Sequence, residues 1–335
     1  IYTGGRITAA QDIAAGKIDE AQYNLQLEVI SQFENLVHYY FGAVLARQVY
    51  ATRIRVEDGL KEHRNHAVLL EKQGQIARVE RLQAEASFDK AVVERKKAGR
   101  DLEIARAALS RVLDSPDHVD PADMLFITDH LPPLDQFISA TMRNYPALGV
   151  LQSKNKQVAG LVDVEKGKYL PTVALFGNVN LYKEDDLLND LLPDWFIGIG
   201  VNVQLLDRSG RSDQLSAARS TIKRLRFLDL QARSDLSVLV EKTYLQAEQA
   251  LEEYHGLLSS LKLAQETVNL RAKAFSQGLS TSLDVVDAEM FLAGVETQRA
   301  VAAYNYIVSL GQVLAVSGDL DAFFTYQKNN GIEGP

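Results

Sequence analysis

The chain has 335 residues, 46% hydrophobic and 24% charged, a composition suited to a folded protein and not to a disordered one. A net charge of −8 argues against a nucleic-acid partner, which needs a basic face for phosphates. The absence of cysteine excludes disulfides, thiolate metal sites and a cysteine nucleophile, and no run of about 18 apolar residues reads as a transmembrane helix.

The chain opens at Ile1 on a turn, Thr3-Gly4-Gly5-Arg6, with no signal sequence before it. It is read as a chain whose start is missing. Residues 6 to 115 and 211 to 334 contain no proline; the eight prolines are Pro116, Pro121, Pro132, Pro133, Pro146, Pro171, Pro193 and Pro335. Proline in a helix interior costs roughly 3 kcal/mol. Its absence over stretches rich in Ala, Leu, Glu, Gln, Arg and Lys permits very long helices. The first is expected to run about 68 residues, from Gly5-Arg6 to a break at Gln73-Gly74, which at 1.5 Å per residue is about 100 Å. A return helix follows over Ile76 to Leu113. His63 and His66 lie at i and i+3, a spacing open to zinc, but no further ligand is placed by the sequence and no metal or cofactor is expected.

Residues 114–133 form a proline-rich linker, in which His118 and His130 stand beside Asp117 and Asp129; turn chemistry explains the aspartates. A short helix is expected over Leu134 to Tyr145 and another over Ala147 to Lys168. Between 170 and 206 the period changes to two. Val173, Leu175, Gly177, Val179 and Leu181 share one face of a first strand; Trp195, Ile197, Ile199, Val201, Val203 and Leu205 share one face of a second. The opposite faces carry Ala174, Phe176, Asn178, Asn180 and Tyr182, and Phe196, Gly198, Gly200, Asn202 and Gln204. A soluble hairpin packed on a helix has the same alternation. The continuous apolar face, the small or amide-bearing opposite face, and Trp195 and Tyr182 at the loop end favour a hairpin of a membrane barrel. The connecting loop, Lys183 to Asp194, is acidic. Two strands cannot close a barrel, and open edges are not tolerated in lipid, so further strands must come from the missing segment and from other subunits.

A second long helix is expected over 211–276. In it Ala247, Leu251, Tyr254, Leu258, Leu261, Gln265, Val268, Ala272 and Phe275 keep a seven-residue repeat, the pattern of a coiled-coil seam. A return helix over 281–316 and a tail over 321–335 complete the chain.

The two halves repeat. Gly5-Arg6 answers to Gly210-Arg211, and Gln73-Gly74 to Gln277-Gly278; the spacings are 74 − 5 = 69 and 278 − 210 = 68. Ala84-Glu85 corresponds to Ala288-Glu289 and Arg95 to Arg299, at an offset of 288 − 84 = 204. Residues 1–113 read as a truncated first repeat and 134–320 as a complete second one. By this count at least 210 − 134 = 76 residues precede Ile1.

Order and spacing together resemble the TolC family of outer-membrane efflux proteins, over almost the whole chain. The residues that carry the resemblance are Asn144-Tyr145-Pro146-Ala147-Leu148, Gly210-Arg211, the run Gly278-Leu279-Ser280-Thr281-Ser282-Leu283-Asp284-Val285-Val286-Asp287-Ala288-Glu289, Tyr304-Asn305-Tyr306 and Gly318-Asp319-Leu320. The resemblance implies a mainly α protein with a transmembrane β-hairpin. Its long antiparallel coiled-coil helices would form a periplasmic tunnel, and its strands would join a trimeric 12-stranded β-barrel. It implies a passive exit duct of a tripartite efflux pump or type I secretion system in the bacterial outer membrane. The implied partners are a homotrimer, a periplasmic adaptor, an inner-membrane pump and outer-membrane lipid. Asp284, Asp287 and Glu80 would line the tunnel constriction; Gln83, which is not acidic, departs from the pattern in the first repeat. Gly74, Gln75, Gly278, Leu279 and Ser280 would form the adaptor-contacting tips, although Gln73 and Gln277 stand where the family often has an apolar residue. Val173, Leu175, Val179, Leu181, Trp195, Ile197, Ile199, Val201 and Val203 would face lipid. The competing readings are a soluble coiled-coil scaffold and an enzyme with a helical insertion. The first has no use for the hairpin, and no convergent catalytic set supports the second.

Overall fold

A computed structural model describes residues 2–117, 119–128, 130–179, 193, 195–205 and 210–329. Leu181, Tyr182, the loop up to Leu192, Asp194, Leu206 to Ser209, His118 and Asp129 lie outside the described residues. The described chain runs α1 (Arg6–Lys72), α2 (Arg78–Val112), α3 (Leu134–Asn144), α4 (Pro146–Gly167), β1 (Thr172–Val179), β2 (Trp195–Asn202), α5 (Arg211–Gly256), α6 (Leu258–Ser276), α7 (Ser282–Ser317) and α8 (Leu320–Asn329).

The proline-free stretches do become long helices, 67 residues in α1 and 36 in α7. Pro146 sits in the first turn of α4, where its missing N–H costs nothing. The helix expected over 211–276 is divided. Leu257 has φ −77° and ψ −7°; its N–H still bonds Glu253 O at 3.2 Å, and its carbonyl accepts from Leu261 N–H at 2.9 Å. Hydrogen bonding thus continues through the irregularity, but the buried line steps back one residue. Ala264 is 0% exposed and Phe275 is buried, with Leu257, Leu261 and Val268 half-buried between and before them. Leu258 is 42% exposed, and Gln265 and Ala272 face outward, so these three leave the seam. The tail also differs from expectation, because 320–329 is the helix α8.

The chain forms two compact units, residues 1–28 with 145–236, and residues 29–144 with 237–335. In the first, the start of α1 packs antiparallel on α4 through small residues. A Cβ on Gly149 would stand 2.5 Å from the Tyr23 ring, and one on Gly160 would stand 2.7 Å from Ile13. Lys156 donates to Asp19 at 3.0 Å and Gln157 to Glu20 at 2.7 Å along the rim. β1 and β2 pair antiparallel from Thr172↔Asn202 to Val179↔Trp195. On the other edge of β1, Tyr2 exchanges both backbone bonds with Val173, at 2.9 and 2.7 Å. Arg211 ties the hairpin's base to the end of α4, donating to Gln204 O and Lys168 O at 2.9 Å each.

In the second unit α7 is the central helix. Tyr306, Ile307, Leu310, Val313 and Leu314 are buried there, as are Val37, Phe41 and Val44 of α1, and Val37 lies beside Gly311 of α7. Among the described residues α7 is also the one helix long and apolar enough to cross a membrane, and most of its apolar stretch is buried within the subunit. The linker and the tail join this core. Phe126 and Phe323 are buried, with ring centroids 5.7 Å apart, and both meet Phe41 edge to face. Phe126 of the linker and Phe323 of α8 thus cover an apolar flank beside Phe41 and Gly311, which burial favours at about 25 cal/mol per Å².

Candidate functional site

Two helix ends of the second unit carry the residues singled out in the sequence. α1 ends at Gly74 (φ +71°) and α6 at Gly278 (φ +71°), a conformation glycine adopts without the Cβ penalty. At the first, Gly74 N–H bonds Glu71 O at 2.9 Å and Gln75 N–H bonds Leu70 O at 2.9 Å. At the second, Gly278 N–H bonds Phe275 O at 3.0 Å and Leu279 N–H bonds Ala274 O at 2.8 Å. The same pair of bonds closes both turns, and nothing packs on either glycine. Gly74, Gln75, Gly278 and Leu279 are exposed; Ser280 is half-buried.

α7 begins immediately after the second turn, and its first turn explains two of the three candidate acids. Thr281 is the N-cap, and Asp284 completes a reciprocal box. Asp284 N–H bonds Thr281 Oγ1 at 3.2 Å, and Thr281 N–H bonds Asp284 Oδ2 at 2.9 Å. The hydroxyls of Thr281 and Ser280 add bonds to the same Oδ2 at 2.7 and 3.1 Å, and Arg271 stands 3.7 Å from Oδ1. The bonds from Thr281, then that from Ser280, hold the Asp284 carboxyl below the usual carboxylate range. Glu80, in the first turn of α2, reaches across to α7 and accepts the Ser282 N–H at 2.6 Å. Asp287 is exposed. The three acids are therefore not equivalent: Asp284 and Glu80 serve the N-terminus of α7, where negative charge is favoured by the helix dipole, and Asp287 stands outside that network.

Below these contacts His63 of α1 is 4% exposed and Ser282 is 0% exposed. His63 Nε2 lies 2.6 Å from Ser282 Oγ, and its ring meets Phe275 at 4.4 Å. Ala67, Ala84, Phe275 and Val285 form the apolar cluster around them. Burial, and then the nearby His66, push His63 down to about 4. His66 itself is exposed, so the two histidines do not share one environment. The sequence singles out His63 only beside His66 as a spacing open to zinc, and Thr281 and Ser282 only within the run Gly278 to Glu289; it assigns none of them these contacts. Thr281-x-x-Asp284 is a capping signature readable in the sequence, but the sequence separation of 219 between His63 and Ser282 left no local signal.

The hairpin presents its aliphatic face without cover. Leu175, Val179, Trp195, Ile197, Ile199, Val201 and Val203 are 48–68% exposed, and Val173 is half-buried where Tyr2 pairs with it. So much contiguous apolar surface is unfavourable in water and marks a lipid or protein contact. On the opposite face the Phe176 and Phe196 rings pack edge to face with centroids 6.1 Å apart, and Phe176 lies over Gly198, where a Cβ would be 2.8 Å away.

The sequence profile of the outer membrane efflux protein family matches residues 137–319, more than half of the chain. The chain belongs to that family. It is 24% identical over 316 residues to the outer membrane efflux protein BepC of Brucella suis, covering 89% of this chain and 68% of BepC. It is 21% identical to the protein CyaE of Bordetella pertussis, over 96% of this chain and 69% of CyaE. Among solved structures, the outer-membrane channel OprN superposes with a TM-score of 0.81 at 18% identity, over 94% of this chain and 72% of OprN. The open state of the Neisseria gonorrhoeae MtrE outer-membrane channel gives 0.78 at 20% identity, over 94% of this chain and 72% of MtrE. The protein is an outer-membrane exit duct for efflux or secretion, and the fold is that of these channels. Outer membrane efflux proteins are trimeric channels that work with adaptor and pump partners, and are not enzymes.

Proposed function

We propose that three subunits close a single 12-stranded barrel, four strands from each with β1 and β2 among them, above a helical tunnel that spans the periplasm. The observation that carries this reading is the β1–β2 hairpin. Its aliphatic face is bare, and the far edge of β1 is bridged at one point by Tyr2. Strand edges must be paired in lipid, so a lone hairpin calls for further strands and for closure by other copies. The repeats at 1–113 and 134–320 then supply two helical tips per subunit, and the second repeat supplies the β1–β2 hairpin. Val173, Leu175, Val179, Trp195, Ile197, Ile199, Val201 and Val203 form the lipid face.

In this reading Gly74, Gln75, Gly278, Leu279 and Ser280 meet a periplasmic adaptor, which links the duct to an inner-membrane pump. Asp287 from each copy supplies the free charge of the constriction, and Asp284 and Glu80 hold the helix end that carries it. A ring of like carboxylates attracts divalent cations and is blocked by them. The test is divalent-cation block of the reconstituted full-length duct. Asp287→Asn is expected to remove most of the block, while Asp284→Asn weakens the tip and leaves block largely in place. Block unchanged by Asp287→Asn would remove the constriction assignment and leave the duct standing. Native mass of the detergent-extracted protein tests the trimer: three copies are expected, and a monomer would contradict the closed barrel.

A further inference from the structure

We propose that His63 is a positioning residue of the duct's periplasmic end, which together with Glu80 clamps Ser282 and so fixes the α6–α7 tip to the α1–α2 tip. This rests on the reading of the two turns as that end. Ser282 is held from two sides by two different helices. Its backbone N–H is given to Glu80 of α2 at 2.6 Å, and its hydroxyl shares a hydrogen bond with the buried His63 of α1, Nε2 to Oγ 2.6 Å. Both contacts cross between the two hairpins, and they meet on the first residue of α7, the helix that carries Asp284 and Asp287. Phe275, the last buried residue before the Gly278 turn, closes over the imidazole, so the clamp is seated in an apolar cluster and not in solvent.

The clamp works with a neutral imidazole. The groups that bear on it are few. On α1 itself His66 is the nearby titratable group, and it opposes protonation. α6 offers the uncharged Phe275 ring, with Arg271 committed to Asp284. α2 offers Glu80, which is spent on Ser282 N–H. α7 offers Ser282, then Asp284, which is held by Thr281; Glu289 lies beside Gly59, one turn earlier on α1. No carboxylate among the described residues pairs with His63 to offset a buried charge. The folded value of about 4 lies below the unfolded 6.5, so a released tip takes up a proton more readily than a clamped one. Clamping is therefore complete above pH 6.5 and weakens as pH falls from 6.5 towards 4.

The experiment is the pH profile of conductance of the full-length duct in planar bilayers, for the wild type, His63→Gln and His63→Ala. Glutamine keeps a side-chain bond to Ser282 and cannot titrate in this range. The wild type should show a conductance step between pH 6.5 and pH 4. His63→Gln should lack that step, and His63→Ala should already be high at neutral pH. Coincident profiles for the wild type and His63→Gln would overturn the proposal. Absence of channels in all three would contradict the duct-tip reading instead, and hydrogen exchange then reads the clamp directly. At neutral pH the Ser282 to Val285 amides should exchange about tenfold faster in His63→Ala than in His63→Gln, as loss of one buried hydrogen bond implies. Equal rates would overturn the clamp.

Discussion

Asp284 shows how a carboxylate's partners decide its job. It accepts from Thr281 N–H, Thr281 Oγ1 and Ser280 Oγ, and each of those bonds favours the ionised form. Its folded value lies below its unfolded 3.8, so the stability it contributes is present above that value and is lost as pH falls through the folded one. The share of protection at the start of α7 that comes from Asp284 should accordingly be lost only below 3.8, beneath the window in which His63 acts. Thr281→Ala removes the cap hydroxyl and should cost about 1 kcal/mol of local stability, read from exchange of the Asp284 amide. An unchanged rate would mean the box contributes nothing. The sequence placed Asp284 and Asp287 three residues apart on one helix end correctly. It did not separate them, because the difference lies in which one the N-cap uses. Glu80 was legible as the counterpart of Asp284, but its bond to Ser282 spans 202 residues and leaves no periodic trace.

The turn glycines were legible because a helix that must stop and reverse needs one residue at positive φ, and Gly74 and Gly278 hold the same φ and the same bonds. The seam was legible as a period but not in register. A seven-residue repeat fits two neighbouring lines on a helix, and the irregularity at Leu257 selects the line through Ala264. This choice is testable. Ala264→Leu places extra atoms at a fully buried position and should destabilise by roughly 1–3 kcal/mol, whereas Ala272→Leu, at an exposed position, should stay within about 0.5 kcal/mol. Thermal unfolding of the two variants compares them, and the reverse order would restore the register through Gln265 and Ala272. α8 was read as a tail because ten residues carry little periodicity, and because the partners of Phe323, Phe33 and Phe41, lie at the other end of the chain.

At the scale of the whole molecule, the two hairpin faces and the family match bear on one claim. A subunit that leaves Ile197, Ile199 and Val201 bare, beside a strand edge, is not a finished object in water. Family membership and the channel fold give that surface its setting, the outer membrane. The most direct measurement is single-channel conductance of the full-length protein extracted from outer membranes and added to a planar bilayer. Discrete, long-lived conductance steps are expected, abolished when Ile199 and Val201 are both replaced by Lys on the lipid face. A protein that stays in the soluble fraction and adds no conductance to the bilayer would contradict the account.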